Sequence, residues 1–374
     1  MTDPANASAK TAPRPARRLL VTGGAGFIGA NFVRHHRATR PDEPIVVVDA
    51  LTYAGNRANL DGVLGTGCRL VEADIADTAA MASLLRGDRL DTIVHFAAES
   101  HVDRSITGPD AFLRANVVGT WSLLAAARQV WLTEAAAPHA HRFHHVSTDE
   151  VYGSLAPDDP AFTEDTPYAP NSPYSATKAA SDHLVRAWHH TYGLEVTTSN
   201  CSNNYGPYHF PEKLVPLMIL NALHGRALPV YGAGLNVRDW LHVEDHARGI
   251  DAVLERGAPG RTYNIGGRNE WTNLDIVHRV CETIDARFAA DPELAARYPE
   301  APAARGAPSA GLVEHVADRA GHDFRYAIDA GRIERELGFE PRITFEEGIG
   351  RTVDWYLANR DWWAPLLGGS AARS

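Results

Sequence analysis

The alternation of short apolar runs with helix-spaced segments constrains the fold of this chain more than any other feature. Residues 45–49, Ile-Val-Val-Val-Asp, are a continuous apolar run, as expected for a strand buried on both faces of a parallel sheet. Strands alternating with helices predict an α/β fold, a Rossmann doubly wound parallel sheet. The predicted strands are residues 18–22, 45–49, 68–74, 92–96, 142–147 and 195–199, and the predicted helices are 27–37, 78–85, 117–128 and 175–192.

The pattern becomes less regular after residue 200, where Pro, Gly and aromatic residues punctuate the chain. We therefore expect a smaller C-terminal substrate-binding lobe beside the sheet, and late sheet strands contributed from beyond residue 200. The Ala/Pro-rich stretch 285–309 reads as an exposed helix-loop excursion. The predicted division is a disordered tail at 1–17, a Rossmann domain mainly at 18–200, the lobe mainly at 201–366, and a second tail at 367–374.

Composition excludes several classes of function. The net charge is −10 and no long basic run is present, so a nucleic-acid surface is not expected. No apolar run reaches the roughly 20 residues of a membrane helix, and the Ala/Pro/Thr-rich start lacks the apolar core of a signal peptide. Three cysteines without C-x-x-C spacing, Cys68, Cys201 and Cys281, fit a reducing compartment. A cytoplasmic protein is therefore expected.

Four histidines, His139, His141, His144 and His145, are the only hint of a metal. Alternate spacing on a strand would place His139 beside His141, but no carboxylate cluster accompanies them. A metal site needs more ligands than this pair supplies. We therefore expect structural histidines and no metal.

A glycine-rich turn follows the first predicted strand and opens the first predicted helix. Gly23, Gly26 and Gly29 permit a tight turn and let backbone N–H groups approach a pyrophosphate at the helix N-terminus. Asp49 ends the second strand, 20 residues after Gly29, where a carboxylate would accept hydrogen bonds from the adenosine ribose. A 2′-phosphate would meet this negative charge, so the sequence favours NAD over NADP. Asp74 and Ile75, after the third strand, would flank the adenine.

Two further groups of residues predict chemistry. Tyr174 and Lys178 stand one helical turn apart, so the ammonium lies on the same face as the phenol and favours the phenolate. Thr148, Asp149 and Glu150 follow a buried strand, at the sheet edge where open α/β sheets bind ligands. An adjacent neutral acid and ionised base can remove one proton and deliver another. The pattern therefore indicates oxidation of a hydroxyl followed by elimination of water.

The chain at this point resembles the extended short-chain dehydrogenase/reductase family, and within it the dTDP-glucose 4,6-dehydratase branch. The resemblance runs from about residue 19 to 363. The Thr-Asp-Glu motif and the segment Asp-Arg-Ala-Gly-His-Asp are specific to that branch. The matching segments are residues 22–29, 49–56, 95–105, 147–153, 174–178, 200–213, 236–240 and 318–323.

The resemblance implies dehydration of dTDP-glucose to dTDP-4-keto-6-deoxyglucose, with NAD regenerated. Tyr174, helped by Lys178 and Thr148, would take the 4-hydroxyl proton while C4 gives a hydride to NAD. Glu150 would then take the C5 proton and Asp149 would protonate the departing 6-hydroxyl, after which hydride returns to C6 and C5 is reprotonated. A homodimer, built through the helices at 117–128 and 175–192, is also implied.

The resemblance also implies binding residues. Cofactor contacts fall on the glycine turn, on Tyr174 and Lys178, and on Phe27, Ile28, Asp49, Thr52, Asp74, Ile75, Ala97, Ala98 and Asn204. Substrate contacts fall on Ser100, Thr148, Asn203, Lys213, Leu214, Pro229, Tyr231, Arg238, Asn273, Asp318 and His322. The residue types agree at several positions, since the guanidinium of Arg238 is a donor fork suited to a diphosphate.

Two positions depart from the family pattern, and several alternatives stay open. Ala115 stands where many relatives have threonine, and Ala320 replaces the usual proline. Another nucleotide-sugar 4,6-dehydratase, acting on UDP-glucose or a different base, fits the same residues. A 4-epimerase or decarboxylase would share Tyr174 and Lys178 without needing both acids. A catalytically silent NAD-binding regulatory protein is the non-enzyme alternative.

Overall fold

The computed structural model describes residues 17–137, 139–318 and 321–370, with side chains to 367. The predicted tail at 1–17 lies outside this description except for Arg17, which is buried. Ala320 and residues 371–374 also lie outside it.

Seven parallel strands form the main sheet, in the order β10-β6-β5-β4-β1-β2-β3. Its central strands are almost wholly buried, which explains their continuous apolar runs. The edge strand β10 comes from beyond residue 200 and pairs with β6. The strands are β1 Leu19–Thr22, β2 Ile45–Asp49, β3 Cys68–Glu72, β4 Thr92–His95, β5 Arg142–Thr148, β6 Val196–Cys201, β7 Asn203–Tyr205, β8 Leu228–Tyr231, β9 Val237–His242, β10 Thr262–Ile265, β11 Glu270–Thr272 and β12 Val313–Val316.

Helices cover both faces of the main sheet, as a doubly wound fold requires. They are α1 Phe27–Thr39, α2 Thr78–Gly87, α3 Val102–Thr107, α4 Pro109–Phe112, α5 Thr120–Arg128, α6 Pro173–Tyr192, α7 Leu214–Leu223, α8 Val243–Arg256, α9 Asn273–Ala290, α10 Glu293–Arg297, α11 Gly331–Leu337, α12 Phe345–Ala358 and α13 Arg360–Ser370. A π-helical segment at Leu113–Gly119 joins α4 to α5, and a second at Gln129–Thr133 extends the same helix beyond α5.

A second core lies under the C-terminal lobe and unites α7, α9 and α12. Two small sheets, β11-β9-β7 and β12-β8, bring late segments of the chain back to the mouth of the main sheet. The predicted helix-loop segment at 285–309 is largely exposed, but it is also anchored in this core, which the prediction did not include. Its first residues belong to α9, and Leu294, Tyr298 and Ala301 are buried in this core, where their apolar side chains hold the segment down. Helix α13 runs to Ser370, into the predicted second tail.

Candidate active site

A cavity of about 670 Å³ opens at the carboxyl ends of the main-sheet strands, against the lobe. All of the predicted cofactor residues line it. Every predicted substrate residue except Asp318 lines it as well, and so do the predicted catalytic residues other than Asp149. The structure therefore brings side chains from positions 23 to 322 to one place.

The glycine turn has the backbone geometry that its sequence predicts. Gly23 has φ +68°, and a Cβ there would lie 2.6 Å from the backbone nitrogen of Ala97. A Cβ on Gly29 would lie 2.3 Å from the carbonyl oxygen of Gly23. Neither contact is tolerable, so only glycine lets the turn pack this tightly. The backbone at the start of α1 is thereby left open to a pyrophosphate.

Asp49 lies at the end of β2 and is almost wholly buried. Its two carboxylate oxygens accept hydrogen bonds from the backbone N–H groups of Ala25 and Leu51, both at 2.9 Å. Burial raises the pKa of Asp49, and these two hydrogen bonds act in the opposite direction. Each oxygen retains a further lone pair toward the cavity that it lines, so the carboxylate fits a ribose with free hydroxyls. The chain's own residues thus fit NAD.

Thr148, Asp149 and Glu150 stand where β5 turns into a short 3₁₀ helix. The Thr148 hydroxyl oxygen accepts the N–H of Glu150 at 3.3 Å and so caps that turn. The turn separates the two acids, because Glu150 lines the cavity whereas Asp149 is 1% exposed and lies behind its wall. Two consecutive carboxyl groups therefore occupy different environments.

The surroundings of Asp149 favour its neutral form. Burial raises its pKa well above the usual range, and the nearby charges of Glu150 and Asp239 add to that rise. Arg238 and a hydrogen bond from Thr148, at 3.4 Å, act in the opposite direction without cancelling it. A raised pKa favours the protonated carboxyl group, which is the form that a general acid requires.

Tyr174 and Lys178 lie on the first two turns of α6. The helix begins with a capping box between Ser172 and Ser175, which fixes the entry of the chain and the direction of Tyr174. Burial raises the pKa of Tyr174, Glu150 adds to the rise, and a hydrogen bond with Thr148 opposes it. Tyr174, Glu150 and Thr148 therefore influence one another, as the prediction of a shared site requires.

Lys178 is buried and faces the cavity. Its ammonium donates a hydrogen bond to the carbonyl oxygen of Val146 on β5 at 2.9 Å. Burial lowers its pKa, and the nearby charge of Asp182 acts in the opposite direction. Lys178 thus ties α6 to the strand that carries the acids.

The lobe supplies two cationic groups. The guanidinium of Arg238 donates to the carbonyl oxygens of Val237, Phe324 and Asp323 at 2.7, 3.3 and 3.0 Å, and it lies 4.2 Å from the centre of the Tyr326 ring. These contacts fix its orientation at the cavity wall. The Lys213 ammonium donates to the Ser100 carbonyl at 3.2 Å.

Other predicted substrate residues come from β8 and from the segment after β12. Tyr231 meets the ring of His322 edge-on, with centroids 6.2 Å apart. Nδ1 of His322 lies 2.6 Å from a carboxylate oxygen of Asp318, which does not itself reach the cavity. Asp318 therefore orients His322 rather than lining the site. The remaining predicted residues of the lobe side, Asn203, Leu214, Pro229 and Asn273, line the cavity.

One contact group at the rim of the cavity escaped the sequence analysis. The Arg104 guanidinium lies 3.9 Å from the centre of the Tyr53 ring and donates to Glu212 at 2.8 Å. Tyr53 also meets Phe210 edge-on at 5.8 Å. These residues join the cofactor side of the cavity to its substrate side. They are far apart in sequence, so no spacing could have indicated the contact.

Two kinds of feature, a metal-ligand group and a membrane-spanning helix, are absent from the described residues. No group of three His, Cys, Asp or Glu side chains there has the arrangement of a metal site. His144 and His145 instead contact hydroxyl and carboxyl groups inside the sheet. Within 17–137, 139–318 and 321–370, no helix is both long and apolar enough to span a bilayer.

Comparison with known proteins agrees with this geometry. A family model described as GDP-mannose 4,6 dehydratase matches residues 20–352. A dTDP-glucose 4,6-dehydratase of Escherichia coli is 51% identical over 365 residues, covering 95% of this chain and 98% of the relative. One from Neisseria meningitidis serogroup B is 53% identical, covering 95% and 97%. A Streptomyces venezuelae dTDP-glucose 4,6-dehydratase, solved with NAD and dTDP bound, superposes with a TM-score of 0.82 at 49% identity, covering 93% of this chain and 99% of that one.

Proposed function

This chain belongs to the nucleotide-sugar 4,6-dehydratase family, and we propose that it dehydrates dTDP-glucose to dTDP-4-keto-6-deoxyglucose with NAD as a regenerated cofactor. Relatives that share half of its residues along nearly their whole length are named for this reaction. The observation that carries the proposal is the pairing of a buried Asp149, whose pKa burial raises, with a cavity-lining Glu150 whose charge acts on Tyr174. Oxidation alone has no use for such a pair.

We assign the oxidation half of the cycle to Tyr174, Thr148 and Lys178. NAD, when bound, accepts a hydride from C4 and later supplies it to C6. The phenolate of Tyr174 takes the proton of the 4-hydroxyl, and Thr148 shares a hydrogen bond with that phenol. The charge of Lys178, held within the same cavity wall, favours the phenolate.

We assign the elimination half to the two acids. The 4-keto group makes the C5 proton acidic, and Glu150, which lines the cavity, is placed to remove it. Asp149 holds the proton that the departing 6-hydroxyl needs to leave as water. Once hydride has returned to C6, C5 takes a proton back to complete the product. Because Asp149 lies just behind the wall, its side chain must reach past Thr148 to deliver that proton.

Binding of the nucleotide diphosphate is assigned to the lobe. Arg238 and Lys213 provide positive charge at the cavity wall, and Tyr231 with His322 provides ring surfaces beside it. Burial lowers the pKa of Lys213, while the carboxylates of Glu212, Glu150 and Asp103 oppose that shift. An incoming diphosphate would act in the same direction as these carboxylates and strengthen the charge of Lys213.

The test is turnover with two substrates. The purified protein, with its cofactor identified after denaturation, is incubated with dTDP-glucose and in parallel with UDP-glucose. We expect a 4-keto-6-deoxy product, detected by its alkaline absorbance and by loss of one water in mass spectra, and preferentially from dTDP-glucose. An unchanged sugar, or one inverted at C4, would reject the dehydratase assignment. Equal turnover of UDP-glucose would reject only the choice of nucleobase.

We also propose that the protein acts as a homodimer in the cytoplasm. Leu113, Val118 and Trp121 leave about half of their side-chain surfaces exposed on the outer face of the α4–α5 helix, and Tyr192 does so at the end of α6. Aromatic and aliphatic surface grouped in this way is typical of a protein interface. The three cysteines are unpaired and buried, which supports a reducing compartment.

A further inference from the structure

A carboxylate outside the predicted set lies beneath the active site. Asp182 stands one helical turn after Lys178 and two after Tyr174, on the same buried face of α6. Its side chain is 6% exposed and it does not line the cavity. A buried carboxylate next to a buried ammonium needs an explanation, because an isolated charge of either sign is costly to bury.

Two hydroxyl donors converge on Asp182, and a histidine ring lies beside it. Its Oδ2 accepts hydrogen bonds from the Ser147 hydroxyl at 2.9 Å and the Tyr168 hydroxyl at 3.0 Å. Nε2 of His145 lies 3.0 Å from Oδ1. The Tyr168 hydroxyl accepts a hydrogen bond from Asn200, so its own proton is directed at Asp182. A carboxyl group that receives several hydrogen bonds is stabilised as the anion.

These contacts join the two halves of the catalytic machinery. Ser147 immediately precedes Thr148 on β5, whereas Asp182 belongs to the helix of Tyr174 and Lys178. The pKa of Lys178 is lowered by burial, and Asp182 is the first of the neighbouring charges that oppose this. Asp182 is therefore the anion that best accounts for a charged Lys178 in this site.

We propose that Asp182 is a positioning residue for the oxidation step: it keeps Lys178 charged, and through Lys178 it favours the phenolate of Tyr174. This inference rests on the proposed function, in which Tyr174 is the base. The titratable groups that face Asp182 are Lys178 and His183 on its own helix, His145 on β5, and Tyr168 and Tyr152 in the segment after β5.

The charge state of Asp182 follows from the balance of these groups. Burial raises its pKa to about 6, and Lys178, Ser147 and Tyr168 limit the rise. Asp182 is thus ionised above about pH 6 and loses its charge below it. Burial also lowers the pKa of the neighbouring His145 well below its usual value.

The first experiment is an Asp182→Asn variant, studied with NAD bound. The absorbance of phenolate at 295 nm is titrated in wild type and in Asp182→Asn, each minus its own Tyr174→Phe counterpart, so that only Tyr174 is observed. In parallel, the pH profile of the oxidation step is followed by NADH absorbance. We expect both transitions to move to higher pH in Asp182→Asn, with the rate at pH 7 falling about tenfold for each unit of displacement. The absorbance titration requires no turnover, so it separates failure of this inference from failure of the proposed function.

A second variant covers the case in which Asp182→Asn does not fold. Tyr168→Phe removes one hydrogen bond to Asp182 and so raises the pKa of that carboxyl toward neutral. We expect its activity to fall relative to wild type at pH 6–7 and to recover by about pH 9. The matched control is Tyr152→Phe, since Tyr152 packs edge-on against Tyr168 at 5.2 Å but donates to Asn264. Unmoved transitions in Asp182→Asn, or a loss in Tyr168→Phe that is the same at every pH, would overturn the proposal.

Discussion

At the scale of single residues, the site depends on a difference in burial between neighbours. Asp149 and Glu150 are adjacent in sequence, yet only Glu150 lines the cavity. Burial raises the pKa of Asp149 and so favours its protonated form, which can give a proton, while its neighbour is placed to take one. The sequence predicted the pair but not the protonation state, because that state depends on distant groups such as Asp239.

This division predicts different defects for isosteric variants of the two acids. Glu150→Gln is expected to abolish exchange of the C5 hydrogen with solvent. Asp149→Asn should retain that exchange but eliminate water roughly 10²- to 10⁴-fold more slowly, the usual contribution of a general acid. Deuterium incorporation in heavy water, followed by mass spectrometry, measures the first, and product formation measures the second. Asp158→Asn, at an exposed position, is the control. Equal loss of exchange in both variants would contradict the assignment.

Residues that a motif identifies were easier to predict than residues that only the fold brings together. Gly23, Asp49 and Tyr174 stand at fixed positions relative to strand and helix ends, so their spacing carried the information. Asp182 and Arg104 carry no such signal. The spacing of Asp182 places it on the helix face of Tyr174 and Lys178, but its burial and its partners become clear only when β5 packs against α6.

At the scale of secondary structure elements, the strands matched the prediction within two residues at each end. The helix predicted at 117–128 is longer, because it starts at Pro109 and continues through two π-helical turns. Regular 3.6-residue spacing is broken at such turns, which hides the true length from a periodicity argument. The first π-helical turn carries Asn116, whose side chain holds both backbone groups of Glu99 and so fixes the loop after β4.

The packing of α1 against α8 depends on a buried histidine and predicts a pH-dependent stability. His36 is fully buried and lies 3.0 Å from Asp251 and 2.9 Å from Glu43. Burial acts to lower its pKa, but the hydrogen bonds to these two carboxylates outweigh it and the pKa is raised above 6.5. The stabilisation is therefore fully present below about pH 6.5, the unfolded value, and is lost as pH rises through the folded pKa.

His36→Gln tests this packing. Its loss of unfolding free energy relative to wild type should be largest near pH 6, about 1–3 kcal/mol, and smaller at pH 9. Thermal unfolding at a series of pH values measures it, since Asp251 stays ionised throughout this range. His278→Gln, on the exposed side of α9, serves as the control for the loss of a surface histidine. A deficit that grows toward pH 9 would show that His36 acts as a neutral hydrogen-bonding residue.

At the scale of the whole molecule, residues of the main sheet and of the lobe line the same cavity. Catalysis therefore requires that the sheet and the lobe stay packed against each other. Helix α6 links that assembly to the outside, because its inner face carries Tyr174 and Lys178 while its end carries the exposed Tyr192. Partner contact on the outer face of α6 and of the α4–α5 helix would therefore also steady the catalytic helix.

A charge placed in that outer face should separate the proposed dimer. Trp121 is 46% exposed, and large aromatic side chains dominate the energy of most interfaces. Burying a glutamate in its place should weaken association by about 2 kcal/mol or more, roughly thirtyfold in Kd. Sedimentation velocity across micromolar concentrations would show Trp121→Glu as a monomer where wild type is a dimer. Leu235→Glu changes an equally exposed apolar residue away from these helices and should leave the dimer intact. If Trp121→Glu sediments like wild type, the interface lies elsewhere on the surface.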